Sequence, residues 1–195
     1  MMSIAEAEAA IANGGIVVYP TETVYGLGGD ALDPTAIERV FDAKNRDRNN
    51  PISLGLADSK RISDFVSLSP VEKAFIDEFL PGPVTVVCER RNNVPDILTA
   101  GRDKVGIRVP NHQLARELLA SSGPLTATSA NKSGNESVCR VEALDPQIRA
   151  QADVVLDGGE TPGTESTVVD VQERIIHRRG SLAQDIETWL NDAQG

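Results

Sequence analysis

The apolar residues of this sequence are broken into short β-branched runs that proline, glycine or a polar cluster soon closes. Gly15-Ile16-Val17-Val18-Tyr19 stops at Pro20, and similar runs cover Ile52–Ala57, Val84–Cys88, Gly106–Pro110, Pro124–Ala127, Val154–Leu156, Ser166–Val171 and Ile175–His177. Runs of this length and composition read as buried strands. The segments between them carry helix signals. Ser3 and Glu6 form a capping box for a helix over Ser3–Asn13 with Ile4 and Ile11 on one face, and Gly14 stops it. Asp33-Pro34 opens a helix with the stripe Ile37, Val40, Phe41 that runs out at Lys44. Ser69-Pro70-Val71-Glu72 is a second capping box, ahead of Phe75, Ile76, Phe79 and Leu80. Shorter helices fit Ile62–Val66, Gln113–Ala120, part of Val141–Ala152 and Gln184–Leu190. Strands and helices mix irregularly, with no internal repeat. The fold class that follows is α+β: a single domain over residues 1–195, built on one twisted mixed sheet flanked by helices.

Charge narrows the function. Acidic residues outnumber basic ones 29 to 19, a formal net charge of −10, which opposes non-specific binding to nucleic acid or an anionic membrane. No apolar stretch is long enough for a membrane-spanning helix, and the N-terminus has neither the basic nor the apolar region of a signal peptide. Cys88 and Cys139 form no CxxC pair and fit small reduced thiols, so a cytoplasmic setting is expected. Two histidines without cysteine spacing leave nothing for a zinc site. G-x-S-x-G, G-x-G-x-x-G and Walker A sequences are absent.

Against that acidity stands Lys44-Asn45-Arg46-Asp47-Arg48-Asn49-Asn50-Pro51, three cations in five positions. Such a cluster fits a concentrated anion such as a polyphosphate, or a solvated loop after a helix C-terminus, where cations are favoured by the dipole. Thr21–Gly29 carries three glycines in four positions after a strand, a loop into which a ligand can approach the backbone. Thr128-Ser129-Ala130-Asn131-Lys132-Ser133-Gly134 offers hydroxyls and an amide, suited to phosphate or metal-bound water, or to a plain turn. Arg108 interrupts an apolar strand and needs solvent, an internal partner or an anionic ligand, with solvent the default. This inventory suits an enzyme that positions a polyphosphate electrostatically, with Mg²⁺, rather than one with a protein nucleophile. Lys44 would be a point charge and Arg46 a bidentate donor.

Tyr19-Pro20-Thr21-Glu22-Thr23-Val24-Tyr25-Gly26-Leu27-Gly28, Lys44-Asn45-Arg46 with Asn50-Pro51, Pro81-Gly82-Pro83-Val84-Thr85, Arg108-Val109-Pro110, Ser129-Ala130-Asn131 and Ser166-Thr167-Val168-Val169-Asp170 occur in this order. Together they resemble the YrdC/TsaC family of threonylcarbamoyl-AMP synthases, over almost the whole chain. The resemblance implies a twisted mixed sheet around a large concave basic cavity. It also implies a reaction joining L-threonine, bicarbonate and ATP into threonylcarbamoyl-AMP and pyrophosphate, with Mg²⁺ accompanying ATP. The product would pass to a tRNA threonylcarbamoyl transferase complex that modifies adenosine 37. By position, Lys44 and Arg46 would be the catalytic phosphate clamp. Asn50, Ser129, Asn131, Ser137 and Arg178 would join them on ATP, and the metal would lie near Ser129 and Asn131 without a direct protein ligand. Thr23, Arg108 and Ser166 would hold threonine, which turns Arg108 from a solvated residue into a ligand contact. Arg48 lies outside the motif and stays a surface residue. Three positions depart from the family pattern: Asp47 and Arg179 where proline is usual, and Gly55 where histidine is frequent. None of them removes a phosphate cation. The chain ends at Gly195 and resembles the short form, without a C-terminal extension. The competing reading is a module that binds double-stranded RNA or tRNA without turnover, or touches RNA weakly beside its chemistry.

Overall fold

The computed structural model describes residues 2–192. One mixed sheet organises them. Its strands are β1 (Val17–Tyr19), β2 (Gly26–Gly28), β3 (Ser53–Gly55), β4 (Val66–Ser67), β5 (Val84–Arg90), β6 (Lys104–Arg108), β7 (Leu125–Ser129), β8 (Val154–Val155), β9 (Thr167–Asp170) and β10 (Ile175–Arg178). The spatial order is β10-β9-β5-β6-β3-β7-β2-β1-β8, with β4 pairing off this path onto β5. Pairs β1–β8, β3–β6 and β5–β9 are parallel and the others antiparallel. The helices are α1 (Ile4–Ala12), α2 (Pro34–Lys44), α3 (Pro70–Phe79), α4 (Asp96–Thr99), α5 (Gln113–Ser122), α6 (Pro146–Gln151) and α7 (Ala183–Asp192).

The helices begin where the caps require. Ser3 with Glu6 and Ser69 with Glu72 make both reciprocal bonds of a capping box, and Asp33 accepts from Thr35 N ahead of Pro34. At the end of α2, Asn45 takes the left-handed conformation (φ 47°), which asparagine tolerates better than most residues. That turn sends the chain straight into the basic cluster.

Strand alternation sends the apolar residues two ways. Leu54, Val84, Val86, Cys88, Val105, Ile107 and Val169 face a core completed by Ile37, Val40 and Phe41 of α2, Phe75 and Ile76 of α3, and Ile186 and Leu190 of α7. The opposite face is covered only at one end. There Ala7 and Ile11 of α1 and Ala115, Leu118 and Leu119 of α5 pack on Val17, Tyr19, Leu125 and Val154. Over β3, β5, β6 and β9 that face carries no helix and becomes the floor of a cavity, with Ser53, Gly55, Thr85, Val87, Gly106, Ala127 and Val168 looking into it.

Several local expectations shift. The glycine-rich stretch expected as a loop is strand β2 at Gly26–Gly28, where the missing side chains leave room for Tyr19: a Cβ on Gly28 would lie 2.9 Å from its Cε1. Ile62–Val66 is a 3₁₀ turn over Ser59–Asp64 followed by β4. β7 extends to Ser129, into the segment expected as loop. Cys88 is buried, whereas Cys139 is only partly so.

Gly180, just after β10, packs directly on the chain entering β9: a Cβ there would lie 2.2 Å from Glu165 O and 2.5 Å from Ser166 C. Backbone cannot rotate out of the way, so Gly180→Ala is expected to destabilise the fold by about 1–3 kcal/mol or more. The urea midpoint of the variant checks this, and an unchanged midpoint would refute the packing described.

Candidate functional site

A cavity of about 840 Å³ opens over the bare part of the sheet. Its walls carry Lys44, Arg46, Arg102, Lys104, Arg108 and Arg178, against the carboxylates of Asp103, Glu165 and Asp170. A chain of net charge −10 thus gathers positive charge in this cavity.

One end is built by the turn after α2. Lys44 is 1% exposed, and its ammonium donates to Ser129 O, to Asn131 O at 2.6 Å and to Asn131 Oδ1 at 3.3 Å. Burial, and then repulsion from Arg46, push its pKa from 10.5 down to about 7, with Glu165 opposing. Arg46 donates to Asn50 O at 3.1 Å and Pro51 O at 2.9 Å, so the backbone of its own turn holds it. Burial first, and Arg178 second, also lower its pKa. Ser129 Oγ donates to Asn131 Oδ1, and Asn131 Nδ2 donates to Asn135 O at 2.6 Å, which shapes the segment after β7. Arg48 points away, pairing with Glu38 at 2.6 Å and Asp42 at 2.5 Å and lying 5.7 Å from the Phe41 ring centre. Its expected surface role holds.

The other end lies on β6 and the turn after β1. Arg108 is 8% exposed; its Nη2 donates to Thr23 Oγ1 at 2.8 Å and Glu22 Oε1 at 3.1 Å. Solvent, the default reading for an arginine in an apolar strand, is overturned, because Arg108 shares the cavity face of β6 with Gly106 and Lys104. Arg108 Nη1 and Glu22 Oε2 are buried without partners. A buried guanidinium nitrogen left unpaired is costly, so the site is poised for an acceptor such as a carboxylate. Thr21 Oγ1 gives its single proton to Val24 O at 2.6 Å, so the 2.8 Å contact between the two hydroxyls makes Thr23 the donor to Thr21. Thr23 also accepts from Arg108, and so offers a ligand only an acceptor lone pair.

Ser166 and Arg178 sit between the two ends. Arg178 Nε donates to Ser166 O at 3.0 Å and Nη2 to Ser166 Oγ at 2.8 Å, and Nη1 pairs with Glu165 Oε2 at 2.7 Å. Thr85 Oγ1 lies 3.0 Å from Ser166 Oγ.

The structure therefore gathers Thr23, Lys44, Arg46, Asn50, Arg108, Ser129, Asn131, Ser166 and Arg178 in one cavity. Ser137 does not itself line the cavity and donates to Glu165 Oε1, which does. Gly55, paired with Arg108 and Leu125 across its neighbouring strands, leaves bare backbone on the floor. Arg179 pairs outside with Glu187. Asp47 accepts from Asn49 N at 2.9 Å and tightens the turn. Sequence reasoning missed Glu22, Thr85, Lys104 and Glu165. A signal for two of them was present: Lys104-Val105-Gly106-Ile107-Arg108 alternates with period two, and Thr85 is the polar member of an apolar strand.

Residues 9–180 match the Sua5, YciO and YrdC family profile, which is described as "Telomere recombination". The chain belongs to that family. It is 38% identical over 188 residues to the threonylcarbamoyl-AMP synthase of Pyrococcus abyssi, covering 93% of this chain and 55% of that one. A putative threonylcarbamoyl-AMP synthase of Methanocaldococcus jannaschii is 37% identical over 164 residues, 84% of this chain and 77% of the relative. The crystal structure of P. abyssi Sua5 complexed with L-threonine superposes with a TM-score of 0.90 at 37% identity, covering 95% of this chain and 56% of that one. E. coli YciO gives a TM-score of 0.83 at 26% identity, with 91% and 88% covered. The chain spans about half the length of the P. abyssi relative. No helix among the described residues is long and apolar enough to cross a membrane.

The depressed Lys44 pKa has a consequence for stability. Between pH about 7 and 10.5 the unfolded chain holds the lysine proton and the folded chain does not, so stability rises with pH across that window, and the full cost applies below it. Lys44→Met removes the group. Its stability relative to wild type is expected to be most favourable near pH ~6 and to decline toward pH ~10 in urea titrations. A difference independent of pH would refute the shift.

Proposed function

We propose that the chain is an L-threonylcarbamoyladenylate synthase, a nucleotidyltransferase that joins L-threonine, bicarbonate and ATP into threonylcarbamoyl-AMP and pyrophosphate. One observation carries this reading. A single cavity has buried cations suited to a polyphosphate at one end, and at the other an unpaired guanidinium nitrogen beside a hydroxyl that can only accept. A relative bearing L-threonine shares the fold at 37% identity.

The amino acid would place its carboxylate on Arg108 and a donor against Thr23, with Ser166 alongside. Its amine takes up the carbon of bicarbonate with loss of water, giving a carbamate. A carbamate oxygen then attacks the α-phosphorus, the bond to the β-phosphate oxygen breaks, and pyrophosphate leaves. Lys44 and Arg46 face the charge that develops on it, with Asn50 and Arg178 at the nucleotide as well. Because the carbonyls of Ser129, Asn131, Asn50 and Pro51 already fix these two cations, little reorganisation accompanies the reaction.

Magnesium fits as an ion carried on the triphosphate. No group of three or more metal-binding side chains exists among the described residues, and Asn131 Oδ1 is already engaged by Lys44 and Ser129. The ion would keep phosphate oxygens and water as ligands, with Ser129 and Asn131 bonding to that water. When bound it supplies further charge neutralisation on the leaving pyrophosphate. The product is a mixed anhydride, consumed by acyl transfer to the adenosine 37 amine of tRNA on a separate transferase in the cytoplasm. Weak contact with that RNA would accompany the hand-over. Binding of RNA without turnover is the lesser reading, since the cations are recessed and half are already paired.

Lys44→Ala and Arg46→Ala are each expected to cut threonine- and bicarbonate-dependent pyrophosphate release by about a hundredfold or more. Near wild-type release by either would sink the assignment. Arg108→Lys retains the charge but loses the planar fork. Its threonine KM should rise about tenfold while its ATP KM stays put, and equal rises in both would count against the threonine assignment.

A further inference from the structure

Glu165 occupies an unexpected position for a carboxylate in a cavity built to receive an anion. It precedes Ser166 at the start of β9 and lines the wall. Its two oxygens are divided: Oε1 accepts from Ser137, and Oε2 pairs with Arg178 Nη1 at 2.7 Å. The geometry is that of an anion already seated on a guanidinium. Arg178 turns Nε and one Nη2 proton to Ser166, so all three of its nitrogens are engaged, and the remaining proton on each Nη faces a phosphate only beside the Glu165 charge.

The segment carrying Glu165 is free of helix and strand from 156 to 166, and a few backbone bonds hold it. Gly163 N donates to Thr23 O at 2.8 Å and Thr161 N to Cys139 O at 2.9 Å, while Tyr25 Oη donates to Gly159 O at 2.6 Å. Gly159 and Gly163 take positive φ values of 82° and 90°, which glycine adopts freely. The strap therefore touches the Thr23 turn at one point and the Arg178 guanidinium at another. Ser137, which does not line the cavity, bonds Glu165, which does.

We infer that Glu165 is a specificity-determining residue: a built-in carboxylate that offsets the charge of Arg178, so that only an anion bearing several charges competes with it, with Ser137 as its positioning residue. A triphosphate that also meets Lys44 and Arg46 does so. A small anion confined to Arg178 does not. This deepens the nucleotide reading of the cavity and rests on it.

Binding of inorganic tripolyphosphate by calorimetry tests the inference without needing turnover. Glu165→Gln keeps the shape and removes the charge, and should bind tripolyphosphate about fivefold or more tightly than wild type. Ser137→Ala should not weaken binding. Asp103→Asn removes a carboxylate that lines the same cavity but holds no guanidinium, and should give a smaller gain. Equal or weaker binding by folded Glu165→Gln, a loss in Ser137→Ala, or an equal gain in Asp103→Asn overturns the inference. If threonine-dependent pyrophosphate release by wild type persists, the nucleotide reading survives that failure. If no chain binds tripolyphosphate at millimolar concentration, both fall together.

Discussion

A sheet whose second face is only half covered sets everything else in this molecule. Strand alternation obliges every second residue of β3, β5, β6 and β9 to look away from the core. With α1 and α5 confined to the β1–β7–β8 end, those residues meet solvent or a ligand. Large apolar side chains there would be exposed. Apart from Val87 and Val168, the positions hold Ser53, Gly55, Gly106 and Thr85, joined by Ala127 of β7, which keep the floor low, and Lys104 and Arg108, which use the opening. The cavity follows from where the helices stop.

Burying cations around such an opening is costly unless each is hydrogen-bonded. Lys44 is surrounded by carbonyl oxygens, Arg46 is held by the carbonyls of its own turn, and Arg108 shares Glu22 and Thr23. The protein thus spends its internal acceptors on holding the positive charge in place. That differs from a flexible basic surface, where lysines search for a partner. A preorganised charge gains most when the opposing charge appears late, as on a leaving pyrophosphate. The same arrangement shows how an acidic protein could handle a polyanion: carboxylates such as Glu38 and Asp42, paired with Arg48, lie on the outside.

Local signals were legible in the sequence wherever a short-range bond writes them. The capping boxes at Ser3 and Ser69, the Asp33-Pro34 start and the stop near Lys44 all stand where the residues placed them. Strand positions were readable as well, but not their order, because β5 lies between β6 and β9 and β3 between β6 and β7 through pairings distant in sequence. Arg108 was ambiguous for that reason: its neighbours along the chain are apolar, and only the sheet reveals Thr23 and Glu22 beside it. Gly26 to Gly28 read as a loop because three glycines in four positions lack strand propensity; the Tyr19 ring filling their empty space outweighs it. The family resemblance supplied what spacing could not, namely which cations line one cavity. It implied Ser137 beside the nucleotide, and in the structure Ser137 bonds Glu165 of the cavity wall.

Hydrogen-bond accounting takes the site one step further than a catalogue of charges. Thr21 has no proton to spare and Thr23 has given its own to Thr21, so the turn after β1 presents a lone pair to the cavity. Arg108 presents a proton on Nη1. An α-amino acid has one group of each kind on the same carbon, a carboxylate that accepts and an ammonium that donates. Acceptor and donor are both anchored in one cluster, because Arg108 Nη2 bonds Thr23 Oγ1. The pair therefore cannot be reversed without breaking three buried hydrogen bonds, and an amino acid bound there would be oriented before any phosphate arrived. Orientation of this kind is what a reaction needs when the protein contributes no nucleophile of its own.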